Sequence, residues 1–332
     1  MGEFPWGFFC LYFKKWPGSC FSRAEKSTNK PMATRGYILD MDGVIYREDH
    51  LIPGAKDLIE AFQETGVPFL FLTNNSAPTP EDLVVKMRHL GIDGLSSRHF
   101  YTSAMNTAEF LSSTHPNCTA FAVGEGGLLT ALREAGIAND SFKPSYVVIG
   151  EGTPTMEKLN KAHALAEKGA RLIATNPDNW CPVSATETRP GAGATVSYLE
   201  ASTGQRAYFL GKPNPFMFAR AARRLGAAFP LAEIVMIGDT LETDIRGAIE
   251  VGMQAYLVLT GSTSLRDLAH HVYQPTRIME SVADLVEEVR TGVVSDRLQS
   301  PTFEDRATRS FSGKHHPTDD GRFLKPRPAM TR

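Results

Sequence analysis

Short apolar runs alternate with segments of helical spacing along most of this chain, and that alternation restricts the fold more than any other feature. The runs cover 37–39, 67–72, 100–102, 120–123, 146–149, 171–174, 207–210, 234–237 and 255–259. Uniformly apolar runs of this length predict strands buried on both faces. Between them, apolar residues recur at helical spacing in 55–65, 80–90, 104–111, 128–135, 156–168, 194–201, 216–225, 244–251 and 282–289. Gly66 and Gly91 close the first two helices and Thr79 caps the second. Strand and helix in alternation with short loops predict an α/β fold with a doubly wound parallel sheet.

A chain of 332 residues is long enough for about two domains. The pattern places one domain over 34–125 plus 207–292 and inserts a second α/β unit over 126–206. Residues 1–33 do not read as part of either, because the aromatic stretch from Trp6 to Phe13 precedes Lys14 and Lys15, the reverse of a signal peptide. Met32 is the expected natural start, and 1–33 is expected to be a non-native or disordered extension. Residues 293–332 turn polar and basic without periodicity and predict a disordered tail. The net charge of −2 gives no general attraction to nucleic acid, and no apolar run approaches the length of a membrane span. Cys10, Cys20, Cys118 and Cys181 lack metal-ligand spacing and read as thiols of a cytoplasmic protein.

The chemistry concentrates where strands end. Tyr37-Ile38-Leu39 runs into Asp40-Met41-Asp42-Gly43, and residues i and i+2 of a strand share a face. Two carboxylates aimed at one small volume call for a divalent cation or a retained proton. An EF-hand is excluded, since Val44 and Ile45 stand where an acid or amide and a glycine belong. Three further stations lie at or just beyond strand ends: Thr73-Asn74-Asn75, able to hold phosphate oxygens; Gly211-Lys212-Pro213; and Gly238-Asp239 with Asp244 five residues on. Asp244 falls where a helix begins, so a helix N-cap is its competing role. Together the stations suit phosphoryl transfer, which needs positioning and charge neutralisation. Asp40 is then the nucleophile and Asp42 the general acid/base. Asp239, Asp40 and the Asp42 carbonyl hold Mg²⁺, and Lys212 and Thr73 offset the phosphoryl charge.

These residues resemble the four motifs of the haloacid dehalogenase superfamily over roughly residues 35–290. The resemblance implies a Rossmann-like core, an aspartyl-phosphate mechanism, and phosphatase rather than dehalogenase activity because Asp42 is present. An insertion between the Thr and Lys motifs implies a cap of the C2 type. Tyr101-Thr102-Ser103-Ala104-Met105, Val123-Gly124-Glu125-Gly126, Ala174-Thr175-Asn176-Pro177-Asp178 and Gly211-Lys212-Pro213 are similar to the NagD-like class IIA members. That likeness implies hydrolysis of nucleoside monophosphates such as UMP. The alternatives are phosphoglycolate, p-nitrophenyl phosphate and pyridoxal phosphate, which the stretch from Trp180 to Gly193 suits better. It also implies Asp244 as support for the metal and self-association through the cap.

Asn176, Asp178, Asn179 and Trp180 form a candidate substrate loop in the inserted unit, or an ordinary surface loop. Gly124-x-Gly126-Gly127 lacks the dinucleotide spacing and is expected to be a hinge. His270-His271 and Arg220, Arg223 and Arg224 read as surface. Two readings from other classes stand beside the enzyme: a phospho-accepting receiver module, which requires a single small domain, and a catalytically idle scaffold on the same fold.

Overall fold

In this computed structural model the described residues are 35–182, 187–226 and 229–293. The expectations for the N-terminal extension and for the tail beyond Val293 lie outside them. Strand β1 (Gly36–Leu39) leads through the small hairpin β2 (Tyr46–Arg47) and β3 (His50–Leu51) to α1 (Ala55–Thr65), β4 (Phe69–Thr73), α2 (Pro80–His89), β5 (Phe100–Thr102) and α3 (Ser103–Thr114). There follow β6 (Thr119–Val123), α4 (Gly126–Glu134), β7 (Ala138–Asn139), β8 (Tyr146–Ile149), α5 (Met156–Glu167) and β9 (Arg171–Ala174). The hairpin β10 (Trp180–Pro182) and β11 (Thr188–Pro190), α6 (Ala192–Thr203) and β12 (Tyr208–Phe209) complete this part. The chain closes with α7 (Pro215–Leu225), β13 (Ile234–Gly238), a π-helical turn at Leu241–Ile245, α8 (Arg246–Glu250), β14 (Gln254–Val258), α9 (Leu265–Ala269), β15 (Arg277–Met279) and α10 (Val286–Thr291).

Two all-parallel sheets organise these elements. The first has the order β15-β14-β13-β1-β4-β5, the second β12-β9-β8-β6-β7. Each is buried on both faces, which is why its strands read as continuous apolar runs. In the first sheet Leu39, Phe71, Ile237 and Val258 face one helical layer, while Ile38, Leu70, Met236 and Leu257 face the other. The second sheet divides likewise, with Ala120, Ala122 and Val148 on one side and Phe121, Val147 and Ile149 on the other. Helix α1 shows how local sequence sets this up. Leu58, Ile59 and Phe62 fall on one buried stripe, and Gly66 at φ 73° ends the helix in the left-handed conformation that glycine tolerates. Each such side chain contributes about 1.5–3 kcal/mol when fully buried.

The structure moves the boundary expected from sequence. Strands β6 and β12 belong to the second sheet, so that unit begins near Thr119 rather than at residue 126 and extends through Phe209. An apolar run states that a strand is buried; it does not name the strand it pairs with. Gly124, expected to be a hinge, packs at the second sheet's end, where a Cβ would meet the Leu128 side chain at 2.9 Å. Strands β7 and β15 and the two hairpins were not anticipated, being only two or three residues each.

Candidate active site

The winding of the first sheet locates the site. From β1 the chain steps outward to β4 and β5, and later from β13 outward to β14 and β15 in the opposite sense. The direction reverses between β1 and β13, and loops part there to leave a crevice at the strands' C-terminal ends. Asp40 directly follows β1, its N–H still in the ladder at 2.8 Å from the Ile237 carbonyl. Asp239 directly follows β13. Lys212 arrives from the far end of the second sheet, three residues after β12. Its ammonium lies 2.6 Å from Asp40 Oδ1 and 2.7 Å from Asp244 Oδ1, with Lys212 2% and Asp244 0% exposed. Oxygens of Asp40, Asp239 and Asp244 all lie within 4.8 Å of one another.

Glycines permit this crowding. A side chain at Gly43, which sits at φ +77°, would strike the Asp239 carboxylate at 2.6 Å. A side chain at Gly261 would collide with the same carboxylate, and one at Gly238 with Asp244. The 260–263 loop completes the mould. Ser262 N–H donates to Asp239 Oδ2 at 2.6 Å, and the Thr260 hydroxyl donates to the Gly43 carbonyl at 2.7 Å.

One ammonium cannot satisfy three carboxylates. Burial opposes the charge on Lys212, but Asp244 and Asp40 outweigh it and hold the amine protonated. The surplus falls on the acids. Burial, with repulsion from Asp239, raises the Asp40 carboxyl against the pull of Lys212. Asp244 is pushed up to about 8, first by burial and then by Asp40 and Asp239. Asp42 is pushed up to about 6 by burial and by the charge of Asp40, with Lys86 opposing. Lys86 itself sits 3.7 Å over the Tyr46 ring, which neighbours Asp42 through a backbone bridge. Such an all-oxygen donor set, short of positive charge, fits a hard divalent cation. Of the three clustered carboxylates, Asp40 and Asp239 are the ones that would hold it. Asp244 is engaged by Lys212 and, at 3.2 Å, by the Thr240 N–H.

Asp244 is therefore not a helix N-cap. It lies inside the π-helical turn, which carries the helix back past it and buries its carboxylate. Thr73 is 3% exposed at the end of β4, beside β1, and its hydroxyl accepts from the Asn75 N–H at 3.1 Å. The Asn74 side-chain amide turns to the lysine loop rather than to the crevice. Asn75 Oδ1 accepts from the Ala77 N–H at 3.0 Å. Asn74 Oδ1 accepts from the Lys212 N–H at 2.7 Å, and its Nδ2 donates to the Lys212 carbonyl at 3.2 Å and to Asp178 Oδ2 at 3.1 Å. Asn74 is thus the side chain that fixes the lysine loop.

The candidate substrate loop splits. Asn176 is fully buried, donating to the Asn74 carbonyl at 2.8 Å and to Glu151 Oε1 at 3.0 Å. Asp178 meets Asn74. Asn179 is exposed, as is Trp180 at 61%. Sequence reasoning passed over Ser76 and Glu151. The Ser76 hydroxyl accepts from the Glu151 N–H at 2.8 Å and from the Thr175 hydroxyl at 3.0 Å, joining the β4 loop to the second sheet. Gly150-Glu151-Gly152 at a strand end was the available signal, the same one that marked Asp239.

Among the described residues no helix is long and apolar enough to cross a membrane. Residues 37–138 match a family model described as haloacid dehalogenase-like hydrolase, and 209–285 match a HAD-hydrolase-like model. The chain is 38% identical over 252 residues to a dihydroxyacetone phosphatase of Corynebacterium glutamicum strain R, spanning 76% of this chain and 90% of that protein. It is 38% identical over 261 residues to an acid sugar phosphatase of Staphylococcus aureus, spanning 77% and 98%. Among solved structures, 4-nitrophenylphosphatase from Thermotoga maritima aligns with a TM-score of 0.72 at 35% identity, covering 77% of this chain and 97% of that one. NagD from E. coli K-12 aligns at 0.70 and 33% identity, covering 76% and 98%.

Proposed function

The chain belongs to the haloacid dehalogenase-like hydrolases as a NagD-like phosphatase of small phosphate monoesters, and from that premise we propose that it works through a phosphoryl group carried on Asp40, with Mg²⁺ as cofactor. The carrying observation is the Lys212 ammonium bridging Asp40 and Asp244 with Asp239 alongside. Lys212 pins one oxygen of Asp40 and leaves the other to attack phosphorus. The bond from phosphorus to the leaving oxygen breaks as Asp42 delivers a proton to that oxygen. Asp42 then takes a proton from water, which attacks the phosphoryl-aspartate, releases phosphate and restores Asp40. The cation, bound by Asp40, Asp239 and the Asp42 carbonyl, supplies neutralisation of phosphoryl charge. Thr73, at the end of the neighbouring strand β4, contacts the phosphoryl oxygens in this reading.

The relatives' names support triose phosphates, sugar phosphates and the aryl ester p-nitrophenyl phosphate as substrates, whereas UMP rests on the sequence resemblance alone. Free thiols at Cys118 and Cys181 suit a cytoplasmic setting. The receiver alternative requires one small domain, whereas the described residues build two parallel sheets. Purified full chain with Mg²⁺ and p-nitrophenyl phosphate is the test. Turnover with a phosphorylated chain seen by intact mass after acid quench supports the reading. Turnover undiminished in Asp40→Asn defeats it.

A further inference from the structure

Asp239 is shaped by segments outside its own strand. Two of them press close to its carboxylate, the root of the β2–β3 hairpin at Gly43 and the 260–263 loop at Gly261. That loop grips Asp239 twice. Ser262 N–H donates to Oδ2 at 2.6 Å, and Thr263 N–H donates to the backbone carbonyl at 3.2 Å. The other carboxylate oxygen, Oδ1, accepts from the Thr240 hydroxyl at 3.2 Å. The loop is itself held by the hairpin. The Thr260 hydroxyl donates to the Gly43 carbonyl at 2.7 Å. Arg47 Nη2 donates to the Thr260 carbonyl at 2.5 Å and to the Gly261 carbonyl at 3.4 Å. Arg47 is exposed and has Glu48 and Asp49 next to it in sequence, yet it reaches a loop 213 positions away. The hairpin that aims it holds Glu48 at φ 57°, a left-handed conformation that a non-glycine residue keeps only where surrounding contacts impose it.

We infer that Arg47 and Thr260 are positioning residues for the metal: they latch the hairpin to the 260–263 loop, and the latched loop holds the Asp239 carboxylate in its binding orientation. This rests on the reading of Asp239 as a donor to Mg²⁺. A carboxylate oriented in advance gives up less freedom when a cation arrives, and partners behind a ligand commonly change metal affinity by about ten- to a hundredfold. The charge on Arg47 acts in the opposite sense. A guanidinium near the site repels Mg²⁺, so Coulomb's law alone has binding tighten when Arg47 is neutralised. The latch has binding weaken. The sign of the change separates the two.

Arg47→Met and Thr260→Val test this in the full chain. The first removes a charge and its donors, and the second exchanges a hydroxyl for a methyl with no change of charge. The readout is the Kd for Mg²⁺ alone, by isothermal titration calorimetry. A loss of folded protein lowers the stoichiometry and leaves Kd unmoved. Both variants are expected to raise Kd about tenfold, the low end of the range because neither side chain is fully buried. A Kd within about twofold of wild type in either variant, or a tighter one in Arg47→Met, overturns the inference. A wild type that binds no Mg²⁺ overturns instead the reading of the metal site, and this inference with it.

Discussion

The two parallel sheets are built alike and used differently. Each reverses its winding direction once, the first between β1 and β13, the second between β6 and β8. At both reversals the strands end in glycine and an acid: Gly238-Asp239 in the first, Gly124-Glu125 and Gly150-Glu151 in the second. In the first sheet four loops bring carboxylates and an ammonium to the walls of the crevice. In the second, the β4 loop fills the crevice with Ser76, bonded to Glu151 and Thr175, and Glu125 N–H closes onto the Glu151 carbonyl at 3.0 Å. A winding reversal supplies a cleft. Whether the cleft becomes a reaction site or a socket depends on what the next loop inserts there.

Mutations separate the two uses. Asp40→Asn is expected to cost about ten-thousand-fold in kcat, the scale of losing a covalent nucleophile, with folding retained by circular dichroism. Loss below tenfold would place the nucleophile elsewhere. Lys212→Met leaves Asp40 and Asp244 buried without their cation. It is expected to remove detectable turnover and to lower stability by about 3–5 kcal/mol in denaturant titration. Chelation by EDTA is expected to abolish turnover, with restoration by Mg²⁺ and a rise in Tm on re-addition, because a ligand at about 100 times its Kd adds about 2.7 kcal/mol. Unchanged activity after chelation would break the reading of the first crevice.

In the second crevice the expected losses are of stability. Ser76→Ala strands the buried Glu151 N–H and the Thr175 hydroxyl, at about 1–3 kcal/mol. The melting temperature falls by roughly 2–4 °C for each kcal/mol in a domain of this size. A fall in kcat of the folded fraction larger than the fall in Tm explains would show that the socket is part of the reaction.

What the sequence showed and what it hid follow one division. Asp40, Asp239 and Lys212 were legible because each ends or follows an apolar run, and strand ends are where a parallel sheet presents chemistry. The doubly wound class was legible from alternation alone. Pairing was not, which is why β6, expected with the first sheet, joins β8 instead. The role of Asn74 was hidden because it depends on a lysine loop 138 positions away. For Asp244 a helix cap stood open beside support for the metal, since the π-helical turn that swallows it leaves no periodic trace. Ser76 and Glu151 each resembled an ordinary loop residue until the two loops met.

Strand β1 lies between β4, its near neighbour in the chain, and β13, whose Ile234 opposite Gly36 is made about two hundred residues later. During translation one edge of β1 therefore waits through the synthesis of the whole second sheet, with unpaired N–H and C=O groups on an apolar ribbon. The emerging polypeptide carries its most association-prone surface early and completes its catalytic centre late. A chain that stops before residue 234 lacks both the strand that covers this edge and Asp239 of the centre, so edge protection and chemistry arrive together.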